Sequence, residues 1–334
     1  MPPSSYEEYL EAIEDDLRQA ALPFGSGTYS RLIAMVAHHH GWTGENAGRG
    51  KRVRPLLTLL ACQACGGDWH AALPAASAVE LVHNFSLVHD DIEDQSATRR
   101  GRPTLWALWG VPQALNTGDA LFAQARLSLH RLLRVGLPPL AVLAVQERLD
   151  VACLRLTQGQ HLDIAFETQD DVHEPAYLEM VEGKTAALLS AATSIGASVA
   201  GAAPPKVDTM ERFGRHLGLA FQMQDDILGI WGDPAVTGKP SGDDLICRKK
   251  TLPTLLGLER SDVFRGLWRS SNGEADRLEA LRLELETCGA LQATQMAAAE
   301  HTALALSALT EANPAEPAAS LLESLSNQML GRQR

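Results

Sequence analysis

Aromatic residues are scarce in this chain, at 5% of 334 positions. A core built on packed rings is therefore excluded, and the hydrophobic 45% must supply it, chiefly as Leu, Ala and Val. Ala and Leu favour helix, whereas β-branched and aromatic side chains favour strand, so the composition leans towards α structure. Basic residues are also in deficit, 29 against 41 acidic, which leaves a net charge of −12. That balance argues against general nucleic-acid binding, which depends on neutralising phosphates with Lys and Arg. An anionic small molecule stays open, because local clusters decide that. No uncharged apolar run of about 18 residues occurs, so no membrane span is expected. The first ten residues carry Glu7 and Glu8 and no basic stretch followed by an apolar one, so no signal peptide is expected and the compartment reads as cytoplasmic. Cysteines number only five. Cys62 and Cys65 form a C-x-x-C inside the apolar stretch Leu56 to Cys65, with no second pair at zinc spacing, and read as buried structural thiols.

Helical periodicity fills most of the chain. Tyr6, Leu10, Ile13 and Leu17 mark one face of a first helix that ends before Pro23, and Arg31 to His39 forms a second. A polar, glycine-rich loop follows over Gly41 to Gly50. Helices are then predicted over Pro55–Cys65, Leu73–Asp94, Gly118–Leu133, Leu140–Phe166, Glu174–Ala200, Val207–Ile230, Glu259–Ser270, Asp276–Thr287, Ala290–Ala312 and Ala318–Leu330. No strand-like alternation and no fixed repeat is present, and the whole of 1–334 reads as one all-α domain. The triplet His38-His39-His40 cannot share one tetrahedral ion, since adjacent helical residues diverge by about 100°. It reads as a solvated helix end.

The sharpest feature is Asp90-Asp91-Ile92-Glu93-Asp94. Like charges at i,i+4 each cost a few tenths of a kcal/mol, so four acids in five positions are a liability unless something uses them. They terminate a strongly apolar segment, Ala75 to Val88, rather than lining a wet face. Asp90 and Asp94 stand one turn apart, a spacing suited to Mg²⁺, which binds through one or two carboxylates plus substrate phosphates. His83, at i−7 from Asp90, falls on the same face two turns deeper. A second pair, Asp225-Asp226, ends another apolar helix through Phe213, Leu217, Phe221 and Met223. Two such ends make a cage for divalent ions that could bind and ionise a diphosphate. Cations are scattered near these acids: Lys51, Arg52 and Arg54, then Arg99-Arg100, Lys184-Thr185, Gly238-Lys239 and Arg248-Lys249-Lys250. Basic groups concentrated beside metal carboxylates in an acidic protein imply phosphate ligands.

From about Gly50 to Pro253 the chain resembles the trans-type isoprenyl diphosphate synthases, the farnesyl and geranylgeranyl group. Asp90 to Asp94 matches the family's first D-D-x-x-D motif, and Asp225-Asp226 the start of the second. The resemblance implies a large single-domain helical bundle of the isoprenoid synthase type around a deep central cavity, usually dimeric. It implies three Mg²⁺ ions per site, with Mn²⁺ as the alternative metal, held by Asp90, Asp94 and Asp225 and supported by Asp91 and Asp226. Lys51, Arg54, His83 and Arg100 resemble the isopentenyl diphosphate site. Arg99, Lys184, Lys239 and Lys249 resemble the grip on the allylic diphosphate (dimethylallyl, geranyl or farnesyl), and Thr185 and Gln222 would lie beside the developing cation. The second motif departs from the pattern at Gly229, often Asp, and Trp106 stands where many relatives have His.

Chain length should depend on what blocks the cavity. Phe85, five residues before Asp90, lies roughly 7.5 Å deeper at 1.5 Å per residue, beside the small Ser86. A bulky ring there with no insertion in the first motif resembles the archaeal-type geranylgeranyl pattern and implies a twenty-carbon product, with fifteen and twenty-five as alternatives. Two other readings compete. A class I terpene cyclase also uses D-D-x-x-D, but its N-D-x-x-S-x-x-x-E motif is absent and it has no use for a second diphosphate site. A non-catalytic regulatory subunit could lose its aspartates, whereas both clusters are intact here.

Overall fold

The computed structural model describes residues 6–21, 27–43, 50–233, 242–270 and 274–331. Helices dominate as the periodicity predicts: α1 (Glu7–Ala21), α2 (Ser30–His39), α3 (Val53–Ala64), α4 (Leu73–Glu93), α5 (Leu105–Trp109), α6 (Val111–His130), α7 (Pro139–Thr168), α8 (Glu174–Val181), α9 (Ala187–Val199) and α10 (Pro204–Trp231). After these come α11 (Asp243–Ile246), α12 (Leu252–Arg260), α13 (Asp262–Arg269), α14 (Glu274–Thr287), α15 (Ala290–Glu311) and α16 (Ala318–Leu330).

The sequence misplaces several boundaries for local reasons. Helix α6 begins at Val111 and not at Gly118, because Pro112 in the first turn removes no needed donor. The predicted helix Glu259–Ser270 is two helices broken at Ser261. That serine is extended, and its hydroxyl accepts from Phe264 N–H at 3.0 Å as an N-cap. A strand pair, unforeseen, joins Thr98–Arg99 (β1) to Arg102–Pro103 (β2) through Arg100-Gly101. Both turn residues have positive φ, 52° and 73°, the type I′ geometry that matches strand twist.

The chain divides into two compact units. One comprises Met1–Val151, Ala191–Met210 and Pro314–Ser320, the other Ala152–Ser190, Glu211–Asn313 and Leu321–Arg334. In the first, α4 is the central helix and packs on α1, α3 and α6. Small residues on it, Ala75, Ala76 and Ala78, are fully buried and permit close approach. The stretch Trp69–Glu93, which contains α4, is long and apolar enough to cross a membrane, yet its most apolar part is mostly buried within the protein. Its one internal acid, Glu80, accepts from the buried Arg52 at 2.8 Å, so α4 is a core helix. The second unit packs Tyr177, Met180, Val181, Leu219, Met223, Ile230, Leu252 and Phe264 into a continuous core. Cys62 is buried as expected, and burial pushes its thiol up to about 12. Cys65 is only partly buried, and both thiols are free.

The histidine triplet is not a solvated end. His40 is fully buried and stacked on Trp42, with ring centroids 4.4 Å apart. Arg102 donates to His38 Nδ1 at 2.9 Å, which makes that nitrogen the acceptor, so His38 Nε2–H donates to the Pro103 carbonyl at 2.9 Å. His38 thereby latches the β1–β2 hairpin to the end of α2.

Candidate active site

The acidic end of α4 splits into inward and outward groups. Asp91 is 2% exposed and accepts from Arg99 Nε at 2.7 Å. Burial raises its carboxyl to about 6, against the pull of Arg99. Asp90 is half-buried, with Arg99 Nη2 3.5 Å away, and Asp94 is exposed where the helix ends. Arg99 reaches them because the hairpin turn folds back onto α4. Trp106 helps fix that loop: its indole and the Thr104 hydroxyl both donate to the Ser96 carbonyl at 2.9 Å. The departure at 106 is thus a clamp on the loop that carries Arg99 and Arg100.

The cations of 51–54 diverge. Lys51 is exposed. Arg52, forced to φ 49°, turns into the core between Glu14 (2.6 Å) and Glu80 (2.8 Å) and is structural. Arg54 donates to His83 Nε2 at 3.2 Å, and burial followed by Arg54 and Arg100 holds His83 well below its usual pKa, hence neutral. The Arg100 guanidinium lies against Gly50, where any Cβ would sit 2.7 Å from it. Lys51, Arg54, His83 and Arg100 therefore share one unit, with Arg54, His83 and Arg100 mutually close.

The end of α10 is built differently. Asp225 is exposed and Asp226 is buried. Asp226 accepts from Tyr177 OH at 2.5 Å, from Leu252 N–H at 3.0 Å and from Gln222 Nε2 at 2.9 Å. Burial nonetheless prevails over these donors and raises its carboxyl to about 6. Gln222 in turn accepts from Thr185 Oγ1 at 2.8 Å, so Thr185, Gln222 and Asp226 form one chain. Burial opposes the charge of Lys249, but Asp163, Asp244, Asp226 and Asp225 outweigh it and hold the ammonium above its ordinary range. Of its neighbours, Lys250 is committed to the carbonyls of Phe166 and Gln169, and Arg248 to that of Ser270.

Lys184 and Thr185 lie in a π-helical turn, Glu182–Ala186, between α8 and α9. Such turns re-aim side chains and are frequent at functional sites. The turn exists because backbones nearly touch: a Cβ at Gly159 would lie 2.1 Å from Lys184 N, and one at Gly183 2.5 Å from the Arg155 carbonyl. Lys184 Nζ pairs with Asp163. At Gly229 a Cβ would lie 2.0 Å from Asp244 Oδ2, so a neighbouring carboxylate occupies the space of the missing fifth-position side chain. Lys239 falls outside the described residues. Asp163, Tyr177 and Asp244 escaped the sequence reading. Only the G-x-x-x-D spacing from Gly159 to Asp163 hinted at one of them.

Phe85 and Ser86 are half-buried on α4. The Phe85 ring meets Phe122 of α6 at 4.8 Å and His89 at 4.7 Å between centroids, and the Arg126 guanidinium lies over the Phe122 ring, 3.4 Å from its centroid. The α4 ring that precedes Asp90 is thus paired with a second ring on α6, which the sequence reading did not foresee.

A divalent ion fits these ends in one particular way. Among the described residues no three His, Cys, Asp or Glu side chains converge into a closed cage. Outward carboxylates beside buried, already partnered ones suit Mg²⁺, which keeps several waters and completes its shell with substrate phosphates.

Residues 43–281 match the model of the polyprenyl synthetase family. A geranylgeranyl diphosphate synthase of Mycobacterium tuberculosis is 43% identical over 296 residues, 84% of this chain and 82% of that protein. The structure of a polyprenyl synthetase from Streptomyces coelicolor superposes with TM-score 0.87 at 35% identity, covering 97% of this chain and 98% of the other. A geranylgeranyl pyrophosphate synthase from Corynebacterium glutamicum, solved with isoprenyl diphosphate and magnesium, gives 0.85 at 25% identity over 98% and 100% of the two chains. The chain belongs to the polyprenyl synthetase family and is a prenyltransferase.

Proposed function

We propose that this enzyme joins isopentenyl diphosphate head-to-tail to an allylic diphosphate, with geranylgeranyl diphosphate as its main product and residues 1–334 acting as one catalytic domain. The observation that carries the reading is the pair of acidic helix ends, each with one aspartate buried on fixed donors and a more exposed neighbour, half-buried Asp90 beside Asp91 and exposed Asp225 beside Asp226. The mycobacterial relative named for the same product supports the chain length.

Asp90, Asp94 and Asp225 are suited to hold divalent ions, which when bound neutralise negative charge on a departing diphosphate. Lys184, Lys249, Arg99 and Lys239 serve the allylic diphosphate, and Lys51, Arg54, His83 and Arg100 the isopentenyl one. As the allylic C–O bond breaks, its electron pair leaves with the diphosphate, whose charge these cations stabilise. Thr185 and Gln222, locked to each other and to Asp226, place fixed oxygen dipoles for the allylic cation. The isopentenyl double bond supplies the pair that forms the new C–C bond. The proton then lost passes to the released diphosphate. Apolar walls keep out the water that would trap the cation.

Phe85, backed by Phe122, sets the length of the product. Phe85→Ala should lengthen it by at least one five-carbon unit by mass spectrometry. An unchanged product with a large loss of stability would make Phe85 ordinary packing. Exposed leucines and valines on α6 and α7, namely Leu115, Leu127, Leu140, Leu143 and Val151, support a homodimer, testable by sedimentation. The setting is cytoplasmic. The overall reading is tested by supplying allylic diphosphate with and without isopentenyl diphosphate. Chain extension only when both are present is expected, and cyclic hydrocarbon from the allylic substrate alone would instead indicate a cyclase.

A further inference from the structure

Beside Arg99 and Arg100 lies a pocket lined also by His38, His39, Asp91 and Arg102. One polar atom in that lining has no explained purpose. His39 Nε2 is shut off from water and has no hydrogen-bond partner among the described residues. Leaving a buried donor or acceptor unpaired is costly, so such an atom calls for a ligand or a reason. The adjacent His38 shows the contrast, with both ring nitrogens bonded in the hairpin latch. His40 also has unpartnered nitrogens, but its ring is stacked on Trp42 and is not part of the pocket lining.

The charged groups that act on His39 are cationic, and the one carboxylate in the pocket lining, Asp91, is paired with Arg99. Burial first, then Arg99, Arg100, Arg52 and His38, push its imidazole down to about 3, so it is neutral and carries one N–H. Its other close charged neighbourhood is that of His83, a second neutral imidazole that feels Arg54, Arg100, Arg99 and His39 itself. Two neutral imidazoles thus stand among three guanidiniums. Arg99 is already paired with Asp91, so an oxyanion is the chemistry that satisfies the other four, taking charge from Arg54 and Arg100 and directional N–H donors from the rings. A neutral donor adds orientation without adding net charge. Arg100, exposed and resting against Gly50, lines the same pocket as His39.

We propose that His39 is an additional diphosphate-binding residue, donating from Nε2 to an oxygen of the isopentenyl diphosphate held by Lys51, Arg54, His83 and Arg100. The inference rests on the isopentenyl assignment given under the proposed function. The same diphosphate chemistry could come from isopentenyl diphosphate or from free inorganic diphosphate, so both are used as probes.

The test is calorimetric titration of the metal-free full chain with isopentenyl diphosphate, inorganic diphosphate and geranyl diphosphate. The variants are His39→Ala, His39→Gln, whose amide nitrogen reaches the Nε2 position, and His39→Asn, whose amide reaches only Nδ1. Loss of a donor to a charged group predicts about tenfold or more weaker isopentenyl diphosphate binding in His39→Ala and His39→Asn. Recovery is expected in His39→Gln, with geranyl diphosphate binding unmoved. In steady state the Michaelis constant for isopentenyl diphosphate should rise while kcat is largely kept. Wild-type affinity in His39→Ala, or a loss that Gln and Asn restore equally, overturns the role of Nε2 and leaves the functional reading standing. A loss confined to inorganic diphosphate overturns the isopentenyl assignment of His39. Failure of the wild type itself to bind isopentenyl diphosphate overturns the reading beneath it.

Discussion

At the end of α4 the buried aspartate is balanced by a cation, whereas at the end of α10 it is balanced by neutral donors. Asp91 leans on Arg99, which comes from a hairpin eight residues away. Asp226 leans on the Tyr177 hydroxyl, the Gln222 amide and the Leu252 N–H, drawn from α8, α10 and the start of α12. Both carboxyls are raised to about 6, burial being the leading cause in each. The arrangement is therefore shared although the material differs: one aspartate of each pair is buried on fixed donors and its neighbour is the more exposed of the two. The first end is held by a loop that must pack correctly. The second is held by the core itself.

The largest expected effect sharpens what the two ends share. Asp90→Ala and Asp225→Ala should each lower turnover by orders of magnitude while the melting temperature stays almost unchanged, because crowded like charges do not stabilise the metal-free fold. Near-normal turnover in either variant would break the equivalence of the ends.

The next separates them by stability. Asp226→Ala strands the Tyr177 hydroxyl and the Leu252 N–H in the core, which should cost about 1–3 kcal/mol for each buried group left unpaired. Asp91→Ala frees an Arg99 whose side chain is 29% exposed and can turn to water, so its cost in urea unfolding should be clearly smaller. Equal losses would show that the hairpin is as much a part of the core as the α8 contact.

Substrate preference should separate the two sets of cations. Lys51→Ala is expected to raise the Michaelis constant for isopentenyl diphosphate far more than that for the allylic partner, and Lys249→Ala the reverse. Equal effects of both variants on both substrates would mean that binding at one set is coupled to the other.

The smallest effect is a pH dependence. A carboxyl whose folded pKa lies above its unfolded value of 3.8 favours the fold most when protonated. That contribution is complete below the unfolded value and is lost as pH rises through about 6. Metal-free wild type should therefore gain stability relative to Asp226→Asn on going from pH 7 to pH 5, followed by thermal unfolding. A gap between the two that does not change with pH would contradict the assigned titration.

Much of this was legible in the sequence because periodicity reports which face of a helix is apolar, and α4 and α10 both end an apolar run in paired aspartates. Arg54, His83, Arg99 and Arg100 were likewise legible as cations or imidazole near the first pair. What stayed hidden depends on contacts between distant segments. No local pattern tells that Arg52 turns inward to Glu80, that Tyr177 anchors Asp226, or that Asp244 occupies the space beside Gly229. The π turn at Lys184 follows from the approach of Gly159 to Gly183, two glycines that each look unremarkable alone. His39 was hidden for another reason: within its triplet it looks like a polar helix end, and only the packing of the hairpin against α2 encloses it.

Prenyl transfer that requires metal at these two ends is open to direct test in a single assay. Wild type, Asp90→Ala and Asp225→Ala are incubated with isopentenyl diphosphate and each allylic primer, with Mg²⁺ or with excess chelator, and the lipid products are resolved by mass spectrometry. A twenty-carbon diphosphate is expected from the wild type in Mg²⁺, and almost none with chelator or from either variant. Undiminished product in chelator, or from either variant in Mg²⁺, would contradict the metal requirement.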